Sequence, residues 1–207
     1  MNNNKIILNK EYNEFYNKFY GIKANHTNAV NCICIIKKNI ENKKLQILEY
    51  GCASGFNLRY LKNEGFNNLF GIDGYKNFIY HALNKNDKIK YKNLNFADLS
   101  ISTDDFFEKK FDVIFTRGVL QQGKTRREKI KNINIDIVNI FKMFYKLLNN
   151  NGKIIISEGP VRDWGKLAKK ANLKVVKKLE SHNIYIIKKN FGLLYKIKRI
   201  LNYENKN

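Results

Sequence analysis

Four short segments set acids or glycines directly behind apolar runs, the arrangement that brings polar groups to the rim of a sheet. The first reads Ile47-Leu48-Glu49-Tyr50-Gly51-Cys52-Ala53-Ser54-Gly55-Phe56-Asn57. Its apolar run ends in an acid. Gly51 then lets the backbone turn sharply beside a ligand, and Gly55 allows a close approach at the start of a helix. The second, Gly71-Ile72-Asp73-Gly74, puts a carboxylate where it can accept hydrogen bonds from two adjacent hydroxyls, as on a ribose. The third, Asn95-Phe96-Ala97-Asp98-Leu99, offers an acceptor for an exocyclic amino group. The fourth is the apolar run Phe111-Asp112-Val113-Ile114-Phe115-Thr116, which leads into Arg117.

A strand–glycine–helix unit can also cradle the pyrophosphate of a dinucleotide. That fingerprint needs a glycine two residues after the first and another three residues later. Those positions hold Ala53 and Phe56, so the fingerprint fails. Glu49 argues the same way, because a carboxylate repels pyrophosphate and tolerates a ligand carrying positive charge.

The spacing of apolar residues shows what must hold these segments in place. Residues 1 to about 43 read as helical, with Tyr12, Phe15, Tyr16, Phe19 and Tyr20 at three- and four-residue intervals. This segment is expected either to pack as a leading helix pair or to cover a site as a lid. From Leu45 onward short apolar runs alternate with helical segments. Strands are expected at 45–50, 68–72, 89–96, 111–116 and 153–157, and helices at 54–62, 76–84, 128–148 and 164–171. An Asn-Asn-Asn-Gly turn at 149–152 leads into the fifth strand. Two further strands, 173–179 and 184–188, are close enough to pair as an antiparallel hairpin. The expected fold is α/β: a Rossmann-like, doubly wound sheet of seven strands, mostly parallel, with a C-terminal antiparallel hairpin. The domain plan is a helical lid segment (1–43), a ligand-binding domain (44–190) and a basic tail (191–207). That tail reads as a helix on the sheet edge or on a membrane surface.

The composition is that of a globular chain, 43% hydrophobic and 28% charged, with no apolar run long enough to span a bilayer. No apolar block of a secretory signal opens the chain, and a cytoplasmic location is expected. Cys32, Cys34 and Cys52 are odd in number and lack zinc-site spacing, so reduced, structural thiols are expected and no metal site. The formal charge of +21 admits a nucleic-acid partner. The excess is mostly lysine scattered along the chain beside abundant asparagine and isoleucine, which A- and T-rich codons also produce.

Taken together, the four segments resemble the class I S-adenosylmethionine-dependent methyltransferases, in particular their compact small-molecule branch, over residues 40 to 190. The signature acid and glycines are Glu49, Gly51 and Gly55. The resemblance implies that Gly51 and neighbouring backbone, including Cys52, contact the methionine part of S-adenosylmethionine. It further implies that Asp73 binds the ribose, that Asp98 with the Leu99 amide binds the adenine, and that Thr116 lines the cleft. The expected reaction is methyl transfer to an oxygen or nitrogen of a small polar acceptor such as a sugar. Tyr16, Tyr20 and Arg117 would bind that acceptor. An RNA methyltransferase and a non-catalytic cofactor-binding relative are the alternatives. The oligomeric state is left open.

The chain departs from that family at one point. Many small-molecule members carry a histidine shortly after the fourth strand, where this sequence reads Leu120-Gln121-Gln122. Glutamine accepts no proton at neutral pH. A general base would have to be His26, Glu158 or Asp163, with His26 and Glu158 taken as the catalytic candidates. The single proline excludes the proline-dependent motifs of DNA amino- and cytosine-methyltransferases. The basic run 123–129 would either grip an anionic acceptor or sit solvated at a helix start.

Overall fold

In the computed structural model, residues 3–20, 27–93, 109–120, 137–158, 163–179 and 183–191 are described, without the side chains of residues 19, 20 and 27–29. Two helices lead, α1 (Asn3–Tyr20) and α2 (Thr27–Lys38). The order continues β1 (Ile47–Tyr50), α3 (Phe56–Asn63), β2 (Leu69–Asp73), α4 (Lys76–Leu83), β3 (Lys90–Asn93) and β4 (Phe111–Arg117). It closes with α5 (Ile137–Leu147), β5 (Leu148–Ser157), α6 (Trp164–Lys169), β6 (Leu173–Leu179) and β7 (Ile184–Lys189).

The seven strands form one sheet in the order β3-β2-β1-β4-β5-β7-β6. The pairs from β3 to β5 are parallel, and β7 runs antiparallel to both β5 and β6. The expected fold, with its closing hairpin, is the observed one. β1 and β2 are buried along their whole length, as a central parallel sheet covered on both faces requires.

The period of two along each strand sorts the core into two layers. Ile47, Val113, Phe115 and Ile155 join residues of α1, α2, α3 and α4 on one face. Leu48, Tyr50, Ile114, Ile154 and Ile156 join residues of α5 and α6 on the other. The three leading aromatics Tyr12, Phe15 and Phe56 belong to the first layer. Phe15 packs edge-on against Phe56 and Phe78, at centroid distances of 5.5 and 4.9 Å. α1 is therefore core-forming: Leu8, Tyr12 and Phe15 are all buried in it.

One boundary differs from expectation. β5 begins at Leu148, so the asparagine stretch belongs to the strand. Leu148 pairs with Phe111, the register then shifts, and Lys153 pairs with Val113. The Asn149 amide bonds Asp112 Oδ1 at 2.6 Å across this irregularity, which lets polar residues occupy a strand position. The expected end of the third strand, the start of the 128–148 helix and the tail beyond 191 lie outside the described residues.

Candidate active site

The strand order reverses between β1 and β4, and in open α/β sheets the crevice beyond the carboxyl ends at such a reversal is where ligands bind. Glu49 and Tyr50 lie in register with Phe115 and Thr116. Gly51 and Arg117 therefore leave the sheet side by side.

The loop after β1 makes three left-handed turns within five residues, at Gly51, Ala53 and Gly55, with φ of 77°, 47° and 78°. Gly51 and Cys52 both donate to the Ile72 carbonyl, at 2.8 and 3.0 Å, which pins the loop over β2. A Cβ on Gly51 would overlap the Val119 methyls, and one on Gly55 would overlap the Tyr91 hydroxyl. The close approach expected at Gly51 is thus made, among the described residues, by the chain after β4. A side chain at Gly51 would disturb the fold as well as a ligand.

Asp73 is buried at the end of β2. Its Oδ2 accepts from the Ala53 amide at 2.8 Å and its Oδ1 from the Tyr75 amide at 2.9 Å. Burial raises its pKa, opposed by those backbone donors. A carboxylate offers about four acceptor positions. With the Gly74 amide as a third backbone donor, these bonds hold the carboxylate in place and leave room for about one more.

Glu49 shares the face of Ile47, toward α3, and is 1% exposed. Its Oε1 accepts from the Asn57 amide at 2.5 Å, while Oε2 is buried with no hydrogen-bond partner among the described residues. Burial lifts its pKa from 4.5 to about 8. Asn57 accepts in turn from the Tyr12 hydroxyl at 2.6 Å, and that hydroxyl accepts from Arg117 Nη2 at 3.1 Å. The parity of β4 places Arg117 on the α1 side, together with Val113 and Phe115. One directional chain, Arg117 to Tyr12 to Asn57 to Glu49, therefore joins β4, α1, α3 and β1 across the crevice.

Glu158 follows β5 and is 3% exposed. Its Oε1 collects the Val119 amide at 2.8 Å, the Leu120 amide at 3.1 Å and the Thr116 hydroxyl at 3.5 Å; Oε2 has no partner among the described residues. Burial, partly offset by those bonds, lifts its pKa to about 7. The carboxylate fixes the turn after β4 whether or not it also moves protons. Asp163, the third candidate base, is instead the N-cap of α6, accepting from the Lys166 amide at 2.9 Å.

Of the other expected site residues, Tyr16 is half-buried against the core beside Tyr12, 6.4 Å between centroids. The Tyr20 side chain, His26, Asp98, Leu99 and the basic run 123–129 lie outside the described residues. All three cysteines are free thiols, and burial beside Glu49 and Asp73 pushes the Cys52 thiol well up, away from nucleophilic use. The sequence did not single out Asn57 or Tyr12 as site residues. The signal for Asn57 was its place in the first turn of the helix that follows the glycine loop, where a side chain points back at the strand end. Tyr12 looked like one more core aromatic.

Residues 41–204 match the methyltransferase-domain family. The chain belongs to the class I S-adenosylmethionine-dependent methyltransferases, and S-adenosylmethionine is its cofactor. The fold is similar to a TehB-like SAM-dependent methyltransferase from Corynebacterium glutamicum, at 15% identity and a TM-score of 0.60, over 89% of this chain and 99% of that one. It is also similar to DesVI of Streptomyces venezuelae, at 13% identity and a TM-score of 0.60, over 86% and 98% of the two chains. A ribosomal protein L11 methylase from Lactobacillus delbrueckii shares 15% identity at a TM-score of 0.56, over 81% of each chain. No curated protein matches the chain. The residues present suit the cofactor: Glu49 Oε2 is a buried oxygen with no partner among the described residues, and Asp73 is held in place by backbone donors with acceptor capacity to spare.

Proposed function

We propose that this methyltransferase acts on an oxygen or nitrogen of a small polar molecule, a sugar or another polyhydroxylated or anionic metabolite. The observation that carries this reading is Tyr12, which reaches from α1 across the crevice to both Asn57 and Arg117. A helix packed over the mouth suits a small acceptor that is enclosed and shielded from water.

The bound cofactor supplies a methyl group activated by its sulfonium charge. Glu49, Gly51, Cys52 and Gly55 would hold its methionine part, Asp73 its ribose, and Asp98 with Leu99 its adenine, with Thr116 lining the cleft. The start of α3 has no side-chain cap, and its first N–H groups suit a carboxylate. Arg117 would present a planar guanidinium to an anionic or hydroxylated acceptor, alongside Tyr16 and Tyr20. Glu158, with a pKa near 7, is suited to take up the acceptor's proton, and His26 is the other candidate. α1 acts in this reading as a fixed roof rather than a swinging lid, because Leu8, Tyr12 and Phe15 anchor it in the core. We place the enzyme in the cytoplasm; among the described residues no helix is long and apolar enough to cross a membrane.

The test is transfer of labelled methyl from S-adenosylmethionine into a cell extract separated into small-molecule, protein and RNA fractions. Label in the small-molecule fraction is the expected result. Label in RNA or protein alone would refute the acceptor class, and the basic surface would then be the better guide.

A further inference from the structure

The amino ends of the strands, opposite the cofactor crevice, carry a second concavity. It has a volume of about 360 Å³ and is ringed by Lys44, Lys88, Lys90 and Lys109 around Phe70 and Asp112. Strand pairing brings these groups together from distant parts of the chain. Phe70 is in register with Lys90, and Asp112 donates its backbone N–H to the Gln46 carbonyl at the start of β1.

The charges are unbalanced. The ammonium groups of Lys90 and Lys109 each lie 5.6 Å from the centroid of the same Phe70 ring, so two cations converge on an apolar surface. The carboxylate lining the pocket belongs to Asp112, one negative charge against four positive ones. Oδ2 accepts from the Gln46 amide at 2.9 Å and Oδ1 from the Asn149 side chain at 2.6 Å. Among the described residues no carboxylate forms a salt bridge with any of the four lysines. By contrast, Lys37 and Lys153 elsewhere on the surface each hold a glutamate.

We propose that this lysine-ringed pocket binds the phosphate groups of a second ligand, separate from the cofactor and the methyl acceptor. Lysine ammonium groups recognise phosphate as point charges, and several of them converging match an anion with more than one negative charge. The volume falls at the lower end of that of small-molecule sites. The occupant that fits is a compact oligophosphate, as in a nucleoside di- or triphosphate. A nucleic-acid backbone is the other source of the same chemistry.

The experiment is a calorimetric titration of the full chain with inorganic tripolyphosphate, repeated with a short single-stranded RNA. Two double variants are compared, Lys90→Ala with Lys109→Ala in the pocket and Lys174→Ala with Lys177→Ala on the exposed face of β6. All four side chains are exposed, so both variants should fold. Tripolyphosphate should bind the wild type and the β6 variant alike, and the pocket variant roughly tenfold or more weakly. Affinity of the pocket variant for S-adenosylhomocysteine should be unchanged. Tighter binding of RNA than of tripolyphosphate, lost in the same pocket variant, would support the phosphate site and assign it to a polymer backbone. Equal binding by the pocket variant and the wild type, or equal loss in both variants, would overturn the proposal, since the attraction would then be general surface charge.

Discussion

Arg117 and Tyr12 meet in two ways. Nη2 of the arginine donates to the tyrosine hydroxyl at 3.1 Å, and the guanidinium carbon lies 5.2 Å from the centre of the ring. The residues are 105 positions apart, and their contact spans the crevice where the sheet order reverses. A single phenol thereby orients a cation at the end of β4 and, through Asn57, the acid at the end of β1.

Tyr12→Phe should keep the ring in the core and remove both hydrogen bonds of the hydroxyl. The buried Asn57 oxygen then loses its donor, at about 1–3 kcal/mol of stability. Turnover should fall more than cofactor affinity, because Arg117 and Asn57 lose their orientation while Asp73 is untouched. Paired melting curves, cofactor titrations and initial rates check this. Equal losses in rate and affinity would contradict it. Deleting residues 1–20 is a poorer test, since it would strip Leu8, Tyr12 and Phe15 from the core.

Glu49 and Glu158 make an unusual pH dependence. Both have folded-state pKa values above the ordinary 4.5, about 8 and about 7, because burial disfavours the charged form. Between 4.5 and those values the folded chain binds more protons than the unfolded one. Their contribution to stability is therefore complete below about pH 4.5 and is lost as pH rises through 7 to 8. Cofactor-free protein should melt at a lower temperature at pH 8.5 than at pH 6. Glu49→Gln should flatten that slope, by roughly 1–3 kcal/mol across the window. An unchanged slope would show that Glu49 is ionised in the folded chain.

Glu158→Gln separates support from proton transfer. Glutamine keeps an oxygen to accept the Val119 and Leu120 amides, so the turn should persist and cofactor affinity should stay within a few-fold. If Glu158 takes the acceptor's proton, the rise of kcat with pH near 7 disappears, and the rate falls by roughly 10²–10⁴. A variant that keeps the wild-type rate and pH profile would reduce Glu158 to a strut.

The two layers of the sheet were legible from the sequence because strand periodicity is a local property. The place of Asp73 at the end of β2 and of Gly51 in the turn after β1 was legible because a strand end and a left-handed turn each restrict which residues they tolerate. The chain from Arg117 to Glu49 was not, because it depends on which face of α1 meets α3, and tertiary packing decides that. Tyr12, Phe15 and Tyr16 all fit helical spacing, yet it is the Tyr12 hydroxyl that bonds both Asn57 and Arg117. The start of β5 was misplaced for a related reason. Asn149 and Asn150 read as a turn until Asp112, 37 residues earlier, supplies a partner for one of them.

Gly55→Ala should destabilise the chain independently of any ligand. The position has a φ of 78°, and a methyl there would strike the Tyr91 hydroxyl, which donates to Asp87 at 2.9 Å. A loss of about 1–3 kcal/mol is expected from the strained backbone alone. Chemical denaturation of the cofactor-free protein measures it, and wild-type stability would mean that the loop adopts another conformation.

The most direct measurement is calorimetric titration of S-adenosylhomocysteine into the wild type and Asp73→Ala, with circular dichroism confirming that both are folded. If the cleft beyond β1 and β2 is the cofactor site, the variant loses charge-assisted bonds to the ribose of roughly 1.5–3 kcal/mol, and affinity falls at least tenfold, since about 1.4 kcal/mol corresponds to a factor of ten. Equal affinity in a folded Asp73→Ala protein would contradict the placement of the cofactor on which the whole account of this site rests.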